Sequence, residues 1–374
     1  MRVVINAGFF SGIYVDEYQN FLQRTFERIA RNQPAHEFVF LCVAKNAVPF
    51  EFAPNIKVYI VKRYVRNLLL SRYWREIRLP AILKKIKADV FLTISDESCQ
   101  NTRVPQCIAL LNMGYLQFPA FFTRTERLFY KRYLEKIIKK AKTIITLSAH
   151  SKQSVTTKYK VADTDIDVIY NGVNEDFKPV NQDIKSEIKL KYTGDRDYFL
   201  YSGAIHRSSN LINLLKAFSV FKKRQQTGMK LFICEKRGST YNAIAHSLLT
   251  YKYRSDVVHL SCLDDAEFVR ITASAYALIH PVFFDDFSSS VIQALHCNVP
   301  VITSPDSGMA DIAGSAALYA DPLNYQAIAE QLMLLYKDEN LRNDLIKKAA
   351  VISQQFTWDK TAERLWQSIH KTAL

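Results

Sequence analysis

The stretch ALIHPVFFDDFSSSV, residues 277–291, sets the reading of the whole chain. An apolar run, 277–282, breaks off into a short polar loop and then opens a helix. Strand, loop and helix in that order form the repeating step of a parallel sheet covered by helices. The serines lie where the first backbone N–H groups of the helix lack intrahelical partners, so the segment suits a plain serine cap or an anion site. Asp285 and Asp286 favour the helix dipole and would repel a bound phosphate.

The same step recurs on both sides of this stretch. Apolar runs lie at 3–6, 38–43, 57–61, 90–94, 107–111, 143–147 and 166–170, then at 198–202, 230–234, 257–260, 277–280 and 299–303. Helical patterns stand between them, at 16–32, 71–86, 125–140, 211–224, 265–275 and 289–297, followed by 327–336, 339–353 and 358–371. Two such series predict an α/β protein of two doubly wound, Rossmann-like domains. Pro179 and the polar stretch 181–191 place the joint, giving domains over 1–178 and 179–355 and a terminal helical segment over 356–374.

Composition narrows the class. The 374 residues carry a net charge of +14, and the imbalance belongs to the first 178, which hold 28 basic against 16 acidic residues. No run reaches the roughly 18 apolar residues of a membrane span, and the start MRVVINAGFF reads as a strand, not a leader. Six scattered cysteines, without C-x-x-C or zinc spacing, read as buried reduced thiols of a cytoplasmic protein. Ten glycines in the chain are fewer than half the usual share of about 7%. Sites built from glycine loops are therefore expected to be altered.

Three further segments carry chemistry. YSGAIHRSSN, 201–210, leaves a strand through Gly203 and enters a helix, either as a phosphate-facing loop or as a connection with Arg207 in solvent. GFFSGI, 8–13, joins the first strand to the first helix but matches neither G-x-G-x-x-G nor the P-loop. Residues 124–142 hold eight Lys/Arg against Glu126 and Glu135, with Leu128, Phe129, Tyr133, Ile137 and Ile138 at helical spacing. That pattern suits an anionic membrane surface, through Lys131, Arg132, Lys139 and Lys140, or an ordinary solvated helix. No recognised motif accompanies the charge, so nucleic acid is not an expected partner.

In order and spacing, TLSAHSK (146–152), DVIYNGV (167–173), GAIH (203–206), VPVITS (299–304) and FTW (356–358) resemble the retaining family 4 glycosyltransferases of group 1, in a branch common in Bacteroidetes-type genomes. The resemblance covers nearly the whole chain. It implies a GT-B fold: an acceptor-side and a nucleotide-sugar-side domain facing a central cleft, and a terminal helix crossing back to the first. It also implies transfer, with retention, of a hexosyl unit from a UDP- or GDP-linked sugar to a glycan or lipid-linked acceptor, without a cofactor or metal. Asp285 and Asn112 are then the catalytic positions, with Gly12 facing the sugar. Gly203, Arg207, Ser208, Ser209, Ser288, Ser289 and Gln293 are the donor-binding ones, Gln293 at the ribose.

The chain departs from the family's pattern at these positions. The Arg-Lys pair that grips the diphosphate is Ser208-Ser209, the Glu-Gly-Phe-Gly motif is Asp285-Asp286-Phe287-Ser288, its second glutamate is Gln293, and the His-Asp pair is Asn112-Met113. Hydrogen bonds to charged groups contribute about 1.5–3 kcal/mol each, so losing both cations removes roughly 3–6 kcal/mol of diphosphate binding. Two readings follow: a transferase with a rearranged donor site, or a pseudoenzyme on the same scaffold that partners an active paralogue at the inner membrane face.

Overall fold

A computed structural model describes residues 1–7, 15–42, 53–61, 72–94, 97–111, 113–235, 247–261, 263–286 and 289–374. The chain divides into two compact units, Met1–Gly172 with Thr357–Leu374, and Val173–Phe356. Each is a parallel sheet with helices, as the alternating apolar runs predict.

The first unit orders its strands β3-β2-β1-β4-β5-β6-β7, with β1 Arg2–Asn6, β2 Glu37–Cys42, β3 Ile56–Ile60, β4 Val90–Ile94, β5 Gln106–Leu110, β6 Thr143–Thr146 and β7 Ile166–Val168. Val3, Val4 and Ile5 of β1 have no solvent exposure, as expected of a central strand covered on both faces. Helix Val15–Asn32 buries Tyr18, Phe21, Leu22, Thr25, Phe26, Ile29 and Ala30, an apolar stripe at helical spacing. Phe26 sits edge-on to Phe38 and Phe40 of β2, at 5.5 and 5.2 Å between ring centroids.

The terminal helix, Trp358–Ala373, completes this unit. Trp358, Thr361, Ala362, Leu365, Ser368, Ile369 and Thr372 form its buried stripe. Thr361 Oγ1 donates to the Tyr170 carbonyl at 2.9 Å, and Asp167 accepts from Ser368 and Lys371 at 2.7 and 2.8 Å.

The second unit orders β10-β9-β8-β11-β12-β13, with β8 Tyr198–Ser202, β9 Lys230–Glu235, β10 Val257–Ser261, β11 Ala277–His280, β12 Val301–Thr303 and β13 Ala317–Tyr319. In both sheets the first strand lies inside, with the second strand on one flank and a later one on the other. The sheets therefore have switch points, between β1 and β4 and between β8 and β11, where loops diverge and leave a crevice at the strand ends.

The elements differ from the sequence reading in several places. The polar stretch 181–191 is helical, Gln182–Thr193, capped by Asn181 and ended by Gly194 at φ 61°; it buries only Ile188 and Thr193, too thin a stripe to read. Helices 71–86 and 125–140 each contain a π-helical turn, Trp74–Arg78 and Tyr130–Leu134. Strand β13 and helices Ala149–Tyr159 and Gly308–Ala313 lie in segments without a clear period. Cys42, Cys99, Cys107, Cys234 and Cys297 are free and buried, and Cys262 lies outside the described residues.

Candidate functional site

The second switch point gathers the chemistry. His280 ends β11 and Asp285 follows in the loop, with His280 Nε2 3.3 Å from Asp285 Oδ2. A carboxylate can only accept, so Nε2 carries the proton in this contact. Tyr201 of β8 stacks on the imidazole, centroids 5.6 Å apart at 19°, and Thr303 Oγ1 donates to the His280 carbonyl at 2.9 Å. His280 is thus fixed by its ring, its carbonyl and its carboxylate partner. Ser202 Oγ and His280 Nδ1 are buried and have no hydrogen-bond partner among the described residues.

The loop after β8 closes the other side. Gly203 has φ +137°, a conformation L side chains rarely adopt, while a Cβ there would meet nothing nearer than 3.6 Å. Glycine is required here by the backbone angle, not by space. Ser290 Oγ donates to the Ser202 carbonyl at 2.8 Å, tying helix Ser289–His296 to the end of β8. Asn210, at φ 57°, donates through Nδ2 to the carbonyls of Pro281 and Pro322 at 2.8 and 2.6 Å, joining three loops.

His206 caps the short 3₁₀ turn Arg207–Ser209. The Ser208 N–H donates to His206 Nδ1 at 3.2 Å and the Ser208 hydroxyl lies 2.6 Å from the same nitrogen. A backbone N–H cannot accept, so the ring is the neutral tautomer protonated at Nε2. Burial holds the His206 pKa below the usual histidine range, with Asp285 opposing the shift and His280 adding to it. The unfolded chain therefore binds the proton first on acidification. Stability from this turn is complete above pH 6.5 and is lost as the pH falls from there through the lowered native value. The melting midpoint of the second unit is expected to fall over that window, and His206→Asn, whose amide oxygen can accept from Ser208 without titrating, should flatten the dependence.

The predicted donor residues separate into three groups. Gly203, Ser289, Asp285 and exposed Arg207 lie around the switch point, and Gln293 is half-buried on helix Ser289–His296. Ser208 and Ser209, expected at the diphosphate, engage their hydroxyls within the loop. Both are buried; Ser209 gives its one hydroxyl proton to the Ala204 carbonyl at 2.8 Å, and Ser208 is engaged by His206. Their role is to shape the turn that presents Arg207. Gly12, Asn112 and Ser288 lie outside the described residues.

The sequence reading missed His280 and Asn210 as site residues. The available signal was a histidine at the C-terminal end of an apolar run, where ligands of parallel sheets bind. At the first switch point, buried Asn6 Nδ2 donates to Thr93 Oγ1 at 3.2 Å, across the ends of β1 and β4.

Two Rossmann-like parallel-sheet units in one chain give the architecture of the GT-B class. Anabaena HepE, solved in complex with UDP-glucose, matches at a TM-score of 0.72 and 12% identity, over 99% of each chain. WaaG, described as a glycosyltransferase involved in lipopolysaccharide biosynthesis, matches at 0.74 and 14%, again over 99% of each chain. Residues 182–351 match the family model Glycosyl transferases group 1, and residues 22–177 match Glycosyltransferase Family 4. The chain is therefore similar to group 1 glycosyltransferases over most of its second unit and to family 4 glycosyltransferases over most of its first. Among curated relatives, O-antigen chain mannosyltransferase B of Escherichia coli is 22% identical over 233 residues, 61% of each protein. The chain spans about three-fifths of the length of the curated relatives it matches.

Proposed function

We propose that the chain transfers a hexosyl unit, with retention, from a UDP- or GDP-linked sugar to a glycan or lipid-linked acceptor. The carrying observation is the His280–Asp285 pair at the second switch point, 3.3 Å apart and beside the Gly203 loop. In this reading Asp285 accepts hydrogen bonds from the sugar hydroxyls and Arg207 offsets the charge of the departing diphosphate. The buried Ser202 Oγ and His280 Nδ1 supply polar contacts that a hydroxyl-rich ligand would satisfy. The O-antigen mannosyltransferase relative supports a hexosyl donor and a glycan acceptor, and the UDP-glucose complex of HepE supports a nucleotide sugar.

One observation favours a second reading. Ser208 and Ser209 turn their hydroxyls into the loop, which leaves Arg207 as the one cation of the 201–210 segment. Diphosphate binding weakened this far suits a scaffold that assists an active paralogue.

A thermal-shift titration with UDP, GDP and their sugar conjugates separates the two. Ligand at 100 times its dissociation constant adds about 2.7 kcal/mol to the stability of the folded state. A shift with one nucleotide and not the other names the donor base. No shift with any of them at millimolar concentration refutes the transferase reading.

A further inference from the structure

We propose that the second unit binds a phosphate group at the amino ends of its strands, with Lys185 as the principal contact and Lys189 and Arg342 beside it. Backbone pairing fixes the floor of this face. The Tyr276 N–H donates to the Tyr198 carbonyl at 2.9 Å and the Leu278 N–H to the Pro300 carbonyl at 2.8 Å, which sets the starts of β8, β11 and β12 side by side. Two helices bring cations to it. Lys189, on helix Gln182–Thr193, pairs at 2.6 Å with Asp197, the residue before β8. Lys185 stands four residues earlier, on the same face of that helix. Arg342, on helix Glu339–Ile352, lays its guanidinium over the Tyr276 ring, with Cζ 4.3 Å from the centroid.

The charges gathered here are not all answered. Asp197 answers Lys189, and Glu339 takes Nη1 of Arg342 at 3.0 Å. Half-buried Lys185 makes no ion pair and no side-chain hydrogen bond among the described residues. Burial lowers its pKa from the usual lysine value, Arg342 and Lys189 lower it further, and Asp197 and Cys297 oppose them. An ammonium group drawn from water beside two other cations is held at a cost, which a bound anion offsets. Arg342 Nε is likewise buried without a hydrogen-bond partner among the described residues. A stacked guanidinium flanked by ammonium groups matches the several oxygens and double charge of a phosphate better than it matches a single halide.

This face is separate from the candidate donor site. His280 closes the carboxyl end of β11, whereas Tyr276 precedes its first residue, about 13 Å away along the strand. The proposal therefore does not depend on whether the second unit turns over a donor.

The test is a thermal-shift and calorimetric titration of the full chain with inorganic phosphate, with glycerol 3-phosphate, and with chloride at matched ionic strength. Phosphate is expected to raise the melting midpoint of the second unit where chloride does not. A response to both phosphates assigns the site to a phosphate monoester, and a response to inorganic phosphate alone assigns it to the free ion. Lys185→Gln should weaken phosphate binding by about 10–150-fold, the range for one charged hydrogen bond, and Lys185→Arg should stay near wild type. In phosphate-free buffer Lys185→Gln should melt with wild type or above it, because a charge facing two like charges has gone. A lysine that only packs would give the reverse order. No response of the wild type to millimolar phosphate, an equal response to chloride, wild-type phosphate affinity in Lys185→Gln, or a lower phosphate-free melting midpoint in that variant would each overturn the proposal. Nucleotide shifts measured on the same variant keep a failure here distinct from a failure of the donor reading.

Discussion

Gly172→Ala is expected to be strongly destabilising, lowering the stability of the first unit by about 3 kcal/mol or more. A Cβ at this position would lie 2.5 Å from the Trp358 nitrogen, 2.7 Å from its Cα and 2.6 Å from its Cδ2. Two of those atoms are backbone, so no rotamer change relieves the clash and the start of helix Trp358–Ala373 must move. Movement there endangers Trp358 against Phe21, the Thr361 bond to Tyr170 and the Arg28–Asp359 pair at 2.6 Å.

For a unit of this size the loss corresponds to a fall of about 6–12 °C in melting midpoint. Gly194→Ala provides the control. Gly194 has φ +61° and nothing within 4 Å of a Cβ, so it should lose only the left-handed penalty of about 1–2 kcal/mol. A Gly172→Ala protein melting with wild type, or above Gly194→Ala, would show that the terminal helix does not press on residue 172 in solution.

That contact was half legible in the sequence. The turn 171–173 and a terminal helix with Leu365 and Ile369 on one side could be read, because both rest on local chemistry and helical period. Their meeting across nearly 190 residues has no local signal. The strands were legible for a similar reason: central parallel strands are apolar throughout, and β1, β4, β5 and β8 are buried along almost their whole length. The short edge strand β13 carries only Ala317, Leu318 and Tyr319, too few residues to distinguish from a loop.

At the candidate site, sequence pattern singled out Asp285, Gly203, Arg207, Ser208 and Ser209, but not how the two serines are bonded. Residue type shows that a serine can donate a hydrogen bond, not where its single proton goes. Here one serine faces His206 Nδ1 and the other donates to the Ala204 carbonyl. His280 escaped notice because a lone histidine in an apolar run reads as core until β8 brings Tyr201 against it.

The second large effect is expected at Asp285. Under the transferase reading, Asp285→Asn should lower kcat/KM by about 10–150-fold, the range for a hydrogen bond of 1.5–3 kcal/mol to a charged acceptor. The amide keeps the carboxylate's shape and can still accept from His280 Nε2, so the fold should survive while the negative charge is removed. That charge matters most where positive charge develops on the departing sugar, so the loss should fall on kcat more than on the donor KM.

His280→Gln retains a donor and should lose less activity than Asp285→Asn, whereas His280→Leu leaves Asp285 without its 3.3 Å partner and should approach the Asn variant. If His280 acts only by filling the core beside Tyr201, the order inverts, because Leu packs there and Gln does not. An Asp285→Asn enzyme as fast as wild type would place the reacting sugar elsewhere. Nucleotide binding by the wild type without transfer to any acceptor, and unchanged in Asp285→Asn, would leave the His280–Asp285 pair a structural link in a scaffold that binds and does not turn over.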